Sequence, residues 1–257
     1  MNRFLLIPDI NRLEESLSLA EEYGLGFEYN DFWSPDVLDD MDKVRAMAKI
    51  YHSHKLPELI TMHGDFFDVL VFSSDRLIRE ISELRIKQSI EAARILGAGA
   101  VVFHTNHNPF FKAEGYVNNW LRCNIDFWSR ILEENPDISI YIENMCDDSP
   151  DMLAALADKL SAYDNFGVCL DYAHAAVFGK DPEAWCKALS PYVKHMHIND
   201  NDLKEDLHLA VGEGSIDWEQ FKELITEYCP DATVLIETSS IERQRSSAEF
   251  LRRLGML

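Results

Sequence analysis

The sequence predicts a single (β/α)8 barrel, the α/β fold usually called a TIM barrel. Three observations carry this prediction: a length of 257 residues, eight short strand-like runs, and helical periodicity between one run and the next. Strands that alternate with helices are typical of parallel α/β folds, and about 250 residues is the usual size of a closed eight-stranded barrel. We therefore expect one domain over residues 1–257, with its site at the C-terminal ends of the strands.

Each predicted strand is a short run rich in β-branched or aromatic residues. In chain order the runs are Phe4 to Ile7, Gly26 to Tyr29, Leu59 to His63, Ala100 to His104, Ser139 to Glu143, Gly167 to Asp171, Val193 to His197 and Thr233 to Glu237. Apolar residues with helical spacing lie between the runs, for example Leu13, Leu17 and Ala20. Gly24 and Gly97 stand where two of these helices are expected to end.

The alternative fold is an open doubly wound sheet. That fold needs a glycine-rich phosphate-binding turn after its first strand, and the sequence there is Ile-Pro-Asp-Ile-Asn. The chain also has no Pro/Gly/Ser-rich linker, no composition break and no internal repeat. These features favour the closed barrel and a single domain.

Composition excludes several classes of function. Hydrophobic residues make up 47% of the chain, enough for a large core, and this excludes a disordered protein. The net charge of −21 repels phosphate backbones and anionic lipid, and no run approaches the roughly 18 apolar residues of a membrane helix. We therefore expect a small-molecule substrate and neither a nucleic acid nor a membrane as partner. Five scattered cysteines without a CxxC pair fit reduced thiols and a cytoplasmic location.

Six of the eight predicted strands end in a His, Asp or Glu, at the face where the strand ends converge. These residues are His63, His104, Glu143, Asp171, His197 and Glu237. Taken alone, a histidine at a strand end is more often a satisfied structural group. Three buried carboxylates need compensating charge, however, and these strand ends supply no Lys or Arg. A divalent cation resolves this, and mixed imidazole and carboxylate ligands suit Zn, Mn, Fe or Co better than Ca or Mg.

Three further residues extend this metal-site hypothesis. His174 follows Asp171 by three residues, a spacing that lets both side chains reach one site from a strand-to-helix turn. Asp206 and His208 have one residue between them, so in extended chain both point the same way. For Asp206 the alternative is a solvated acidic loop, because residues 199–206 carry four acids and one Lys.

Four stretches hold five of these residues, Asp171, His174, His197, His208 and Glu237. They are Phe-Gly-Val-Cys-Leu-Asp-Tyr-Ala-His, Lys-His-Met-His-Ile-Asn-Asp, His-Leu-Ala-Val-Gly-Glu-Gly-Ser-Ile-Asp-Trp and Val-Leu-Ile-Glu-Thr. They resemble the xylose isomerase-like TIM barrels, and the resemblance spans essentially the whole chain. That superfamily holds sugar and sugar phosphate isomerases and epimerases, and also the endonuclease IV type of apurinic-site endonuclease.

The resemblance implies two possible ligand sets. In the isomerases one metal ion is held by four residues, which by position are Glu143, Asp171, His197 and Glu237 here. In the endonucleases three zinc ions take nine ligands. All nine residue types occur here in the right order, as His63, His104, Glu143, Asp171, His174, His197, Asp206, His208 and Glu237. We therefore expect one to three divalent ions.

The first functional hypothesis is a metal-dependent isomerase or epimerase of a sugar or sugar phosphate. Glu143 and Glu237 would act as paired base and acid, with the metal stabilising an enediolate. His174 would hold a hydroxyl or phosphate oxygen. The aromatic residues expected to wall the pocket, or alternatively to pack only within their loops, are Trp33, Phe66 and Phe67.

The second hypothesis is an endonuclease IV-like, trinuclear-zinc hydrolase of phosphodiesters at apurinic sites. Nine ligands suit it, because several metal ions can activate water and neutralise both the attacked and leaving oxygens. The loop at residues 30–40 argues against a duplex substrate, since it holds four acids and no base. A third hypothesis is a barrel that binds metal or sugar without catalysis, but that role does not require both Glu143 and Glu237.

Overall fold

The computed structural model describes residues 3–67 and 69–257. Eight parallel strands close into one barrel, each strand paired with the next and β8 paired with β1. The strands are β1 (Phe4–Leu6), β2 (Gly26–Tyr29), β3 (Ile60–His63), β4 (Ala100–His104), β5 (Ser139–Glu143), β6 (Phe166–Asp171), β7 (Val193–Ile198) and β8 (Thr233–Ile236). The predicted TIM barrel is therefore confirmed.

The connections between strands are helical, as the periodicity predicts. The α-helices are α1 (Leu13–Tyr23), α2 (Pro35–Leu38), α3 (Met41–His52), α4 (Arg76–Leu96), α5 (Glu114–Glu134), α6 (Asp151–Leu160), α7 (Tyr172–His174), α8 (Pro182–Leu189), α9 (Trp218–Tyr228) and α10 (Ile241–Arg253). Gly24 and Gly97 end α1 and α4 in the left-handed conformation, at φ 65° and 75°. Within the described ranges, no helix has the length and apolar character needed to cross a bilayer.

The observed strand ends differ from the predicted ones by one residue at most. The difference that affects the site is at β8, which ends at Ile236, so that Glu237 is the first residue after the strand. The Glu237 amide donates to Ile198 O at 2.8 Å, and the Thr238 amide turns back to donate to Ile236 O at 3.0 Å. This local turn ends the strand and directs Glu237 toward the barrel mouth.

The strand register places the strand-end residues next to one another. His104 of β4 is the Cα partner of Glu143 of β5, and Asp171 of β6 is the Cα partner of His197 of β7. Partners in a parallel ladder point to the same face of the sheet. The same ladder hydrogen bonds that close the barrel therefore align two imidazoles and two carboxylates at its C-terminal end.

The close packing of β2 against β3 gives a stability prediction. A Cβ on Gly26 would lie 2.5 Å from Leu59 O. That oxygen accepts a hydrogen bond from the Phe27 amide at 2.9 Å, so it cannot move away without losing the bond. We expect Gly26→Ala to lower the free energy of unfolding by about 3 kcal/mol. The control is Gly97→Ala, whose Cβ meets open space and which should lose only about 1 kcal/mol from its left-handed backbone. Urea denaturation measures both, and equal losses would contradict the packing argument.

Candidate metal centre

The barrel mouth brings eight of the nine predicted residues together in three groups, two of which share Glu143. Within each group the possible ligand atoms lie within 4.8 Å of one another. Group one is His63, His104 and Glu143; group two is Glu143, Asp171 and His197; group three is His174, Asp206 and His208. Glu237 lies beside groups two and three, with its Oε2 at 3.8 Å from the Nδ1 atoms of both His197 and His208.

Group one forms where β3, β4 and β5 end. The Nε2 atoms of His63 and His104 lie 3.2 and 3.6 Å from the same oxygen, Glu143 Oε2. Glu143 is only 1% exposed, and burial lowers the pKa of His104 to about 4. A neutral imidazole of this kind has a lone pair available for a cation.

Group two contains buried polar atoms that make no hydrogen bond. Glu143 Oε1, Asp171 Oδ2 and His197 Nδ1 are all in this state, although the first and last lie only 3.2 Å apart. Buried polar atoms are almost always hydrogen-bonded, so a cluster of exceptions needs an explanation. A divalent cation among them would satisfy all three atoms, and the mixture of carboxylate and imidazole donors fits such an ion.

The turn after β6 explains the spacing between Asp171 and His174. Asp171 Oδ1 accepts a hydrogen bond from the His174 amide at 2.6 Å and so caps the short helix α7. The cap leaves Asp171 Oδ2 facing the site, 3.5 Å from His174 Nδ1. Burial, together with the charges of Glu237 and Glu143, raises the pKa of Asp171 to about 7.

Group three joins the α7 turn to the long loop after β7. Asp206 Oδ2 lies 3.3 Å from His174 Nε2 and 3.0 Å from His208 Nε2. The expectation of extended chain here is wrong, because His208 has a left-handed φ of 47°. Two contacts hold that conformation: Arg243 Nη1 donates to His208 O at 3.2 Å, and His208 Nδ1 lies 3.1 Å from Glu237 O. The loop is exposed, yet the Asp206 carboxylate turns inward.

Four of the five histidines are anchored in the same way. In each, Nδ1 lies 2.9–3.1 Å from a backbone carbonyl, which leaves Nε2 facing the carboxylate of its own group. The pairs are His63 with Gly64 O, His104 with Phe66 O, His174 with Asn144 O, and His208 with Glu237 O. Metal-binding histidines typically donate their second ring N–H to such a carbonyl or to a carboxylate. The anchoring therefore also fits a metal site.

The charged groups of the centre shift one another's pKa values. Burial raises the pKa of Glu143, but the charges of His197 and His104 outweigh it and hold that pKa well below the ordinary value. Burial lowers the pKa of His208, but its hydrogen bond to Asp206 and the charge of Glu237 outweigh it and raise that pKa to about 10. Protons therefore compete with a metal ion for these ligands, and metal binding should release protons.

Asp200 organises the loop that carries group three, and the sequence analysis missed it. Its Oδ1 accepts from the amides of Asn201 and Ile216, at 2.9 and 3.1 Å. Its Oδ2 accepts from the Gly212 amide at 2.9 Å and from Trp218 Nε1 at 2.8 Å. One buried carboxylate thus fixes both ends of the loop that includes Asp206 and His208.

A cavity of about 330 Å³ opens beside Glu237 and His208. Phe66 lines it, and Trp33 stacks on Phe66 with ring centroids 5.1 Å apart, whereas Phe67 is 57% exposed and contacts both rings edge-on. His174, which we expected to hold a substrate oxygen, does not line this cavity, because its Nε2 faces Asp206.

The rest of the cavity wall is rich in hydrogen-bond acceptors, which the sequence analysis also missed. The polar lining residues are Asp9, Asn30, Asp31, His208, Glu237, Thr238, Ser239 and Gln244. Three buried atoms of the wall, Asn30 Oδ1, Thr238 Oγ1 and Gln244 Oε1, have no hydrogen-bond partner. Among the described residues that line this cavity there is no Lys or Arg. The wall therefore suits hydroxyl groups better than a phosphate.

Two more buried residues, Glu28 of β2 and His195 of β7, lie directly beneath His197. Glu28 is 1% exposed, and its two oxygens lie 3.1 Å from His197 Nε2 and 3.0 Å from His195 Nε2. Burial raises the pKa of Glu28, but the charges of His197 and His195 outweigh it and hold that pKa below the ordinary range. The sequence signal was a carboxylate inside the short apolar strand Gly-Phe-Glu-Tyr.

The chain belongs to the xylose isomerase-like TIM barrel family, whose sequence profile matches residues 17–254. It is 25% identical over 243 residues to apurinic-apyrimidinic endonuclease 1 of Schizosaccharomyces pombe, covering 85% of this chain and 70% of that protein.

Two solved structures share the fold at 24% identity. The TTHB071 protein from Thermus thermophilus, from a soak with ZnCl2, has a TM-score of 0.78 over 99% of this chain and 98% of that one. A D-tagatose 3-epimerase-like protein has a TM-score of 0.77 over 98% and 96%. At this level of identity the similarity establishes the fold alone.

The role of Asp200 can be tested by Asp200→Asn. The substitution places an amide NH2 against backbone donors, so we expect the free energy of unfolding to fall by about 2 kcal/mol. We also expect faster proteolysis within residues 201–216. Asp202→Asn is the matched control, because Asp202 lies in the same loop but caps only an exposed turn. Proteolysis rates that are the same in both variants and the parent would refute this role.

Proposed function

We propose that this protein is a hydrolase of phosphodiesters that uses a centre of up to three divalent ions. The observation that carries the proposal is that three ligand groups assemble at one barrel mouth and that two of them share Glu143. Zn, Mn, Fe or Co would suit these ligands. The Schizosaccharomyces pombe relative is named an endonuclease, and this name supports phosphodiester chemistry in the family.

The arrangement around Glu143 favours several ions over one. A one-metal isomerase requires Glu143, Asp171, His197 and Glu237 as ligands, and His174 could bind its substrate. It gives no role to His63, His104, Asp206 and His208. Both oxygens of Glu143 face imidazoles, Oε2 toward group one and Oε1 toward His197. A carboxylate engaged on both sides suits a ligand shared between ions better than a free base.

Divalent ions at such a centre supply a Lewis acid for the phosphate oxygens and a lowered pKa for water. The protein residues supply position and proton transfer. The Glu237 carboxylate borders the cavity, and it lies 3.5 Å from Asn199 Nδ2 and 3.8 Å from the Nδ1 atoms of His197 and His208. It is therefore placed to accept a proton from the attacking water. Phe66 closes one side of the cavity, and Asn30 and Thr238 offer acceptors to hydroxyl groups of the substrate.

The charge around the mouth favours a small phosphodiester over a duplex. The β2 loop carries Asp31, Asp36, Asp39 and Asp40 without a Lys or Arg, and the segment after Glu143 is acidic as well. Duplex binding depends on clustered cations that neutralise several phosphates. Bound ions could neutralise one phosphate at the centre, but the acidic loops around the mouth would repel the neighbouring phosphates of a duplex.

The number of bound ions tests the proposal. We expect about three Zn²⁺ per chain by elemental analysis, one for each group. His208→Ala should lose about one ion, and the release of p-nitrophenol from bis(p-nitrophenyl) phosphate should fall at least 100-fold. His54→Ala is the control, since His54 is a surface residue that pairs with Glu14 away from the mouth. One ion in both the parent and His208→Ala, with no hydrolysis of this ester or of an abasic duplex, would refute the proposal.

A second candidate is the isomerase or epimerase of a sugar or sugar phosphate, and one observation favours it. Glu237 lies at the edge of a cavity rich in acceptors, where a sugar could expose its α-carbon to that carboxylate. One structure with the same fold is named a D-tagatose 3-epimerase-like protein, and this name supports epimerase chemistry as a candidate. In this mechanism Glu143 and Glu237 move the proton, whereas Asp171 and His197 only hold metal.

Solvent-deuterium exchange separates the two candidates. An isomerase of this kind should exchange the α-proton of a ketose with solvent, and Glu237→Gln should slow that exchange by about 10²–10⁴-fold while metal remains bound. His197→Ala should instead lose metal and exchange together. The exchange rate is measured by NMR for a panel of ketoses in D2O, and the metal content of each variant is measured by elemental analysis. Exchange at the parent rate in both Glu143→Gln and Glu237→Gln would rule out the two-glutamate mechanism.

A further inference from the structure

We infer that Glu28 is a positioning residue for His197: its carboxylate keeps the proton of that ring on Nε2 and so leaves the Nδ1 lone pair facing the metal centre. The inference rests on the metal centre of the proposed function but not on the reaction carried out there. The described contacts of Glu28 are with Thr61, His195 and His197, and none of them is with a carboxylate of the mouth.

The five histidines of the centre differ in how their second nitrogen is held. Four use a backbone carbonyl, as described above, and these anchors belong to the main chain. His197 instead has its Nε2 3.1 Å from Glu28 Oε1, with Nδ1 3.2 Å from Glu143 Oε1. Its orientation therefore depends on a side chain that a single substitution can change.

The surroundings of Glu28 fix that carboxylate in place. Thr61 Oγ1 donates to Glu28 Oε2 at 2.6 Å, and His195 Nε2 lies 3.0 Å from the same oxygen. His195 Nδ1 is in turn 2.6 Å from Thr233 Oγ1. Thr233 Oγ1 also lies 3.3 Å from Lys194 O. In the proton assignment that the inference uses, Thr233 donates to the unprotonated Nδ1 of a neutral His195, and the His195 proton lies on Nε2, toward Glu28. Oε1 of Glu28 is then left for His197.

The tautomer of His197 decides whether it can bind an ion at the mouth. A neutral imidazole carries one proton, so a proton on Nε2 leaves Nδ1 as an acceptor. The carboxylate of Glu28 can only accept, and it therefore selects that tautomer. Its negative charge also makes the ring a stronger ligand, as carboxylate, histidine and metal triads do elsewhere.

The same buried layer has a competing interpretation. Cys169, His195 and His197 form a group whose ligand atoms lie within 4.8 Å of one another. An additional ion held there would make Glu28 a ligand instead of a positioning residue. All of these side chains are at most 1% exposed. Glu28 Oε1, His195 Nε2 and His197 Nε2 are close to one another but have no well-aligned hydrogen bond, as atoms around such an ion would be. His197 Nε2 cannot bind an ion, however, while it carries the proton that faces Glu28. The two interpretations predict different metal counts.

The test compares Glu28→Gln, Thr61→Val and Cys169→Ser with the parent chain. Zn²⁺ affinity is measured by competition with a chelating dye, and the Co²⁺-loaded proteins are compared by visible absorption. We expect Glu28→Gln to bind its weakest ion 10–100-fold less tightly and to show a changed Co²⁺ spectrum. Thr61→Val removes a hydrogen bond to the other oxygen of Glu28, so we expect a change of at most about threefold. Cys169→Ser should keep the parent metal count.

The opposite results overturn the inference. If folded Glu28→Gln binds Zn²⁺ as tightly as the parent and has the same Co²⁺ spectrum, Glu28 does not position His197. If Glu28→Gln and Cys169→Ser each lose one whole ion, the buried group of Cys169, His195 and His197 binds a metal ion instead. If Glu28→Gln does not fold, long-range ¹H–¹⁵N spectra of the Zn²⁺-loaded parent decide, since His197 must carry its proton on Nε2. A parent without phosphodiesterase activity but with these metal results would refute only the hydrolase, whereas a parent that binds no ion would refute both.

Discussion

The buried charge of Glu143 is the constraint on which the candidate centre depends. A carboxylate that is 1% exposed is costly unless positive charge or hydrogen-bond donors surround it. Here four imidazoles approach its oxygens within 3.2–3.9 Å, from His63, His104, His174 and His197. Those rings can stabilise the carboxylate either by holding protons or by sharing cations with it. The backbone anchors on His63 and His104 favour the second arrangement, because they leave the nitrogens that face Glu143 free of protons.

Two different kinds of structure deliver the ligands, and they account for what the sequence could predict. Parallel strands must end at the same face of a closed barrel, so a His, Asp or Glu at a strand end lies at the mouth without further information. The eight apolar runs therefore predicted both the fold and the neighbourhood of six site residues. Asp171 and His174 were also predictable from local chemistry, because a helix cap fixes their spacing.

Residues whose roles depend on distant contacts could not be assigned in this way. Asp206 and His208 were recognised, but their conformation depends on Arg243 and Glu237, which follow much later in the chain. Glu28 has no local pattern that links it to His197, and only closure of the barrel brings the two together. The acceptor-rich cavity is likewise formed by side chains from separate loops. Sequence periodicity carries no information about such contacts.

The unequal surroundings of Glu143 and Glu237 connect this architecture to the proposed chemistry. Glu143 is enclosed by rings, whereas the Glu237 carboxylate borders a cavity and lies 3.8 Å from the nearest nitrogens of His197 and His208. Of the described residues, those that line the cavity include no Lys or Arg, and a phosphate there would meet the repulsive carboxylates of Asp9, Asp31 and Glu237. In the proposed function the anionic phosphate must therefore face the ions, and the hydroxyl-bearing part of the substrate must occupy the cavity. Glu237 lies between these two regions, where a single carboxylate can reach the water that attacks the phosphate.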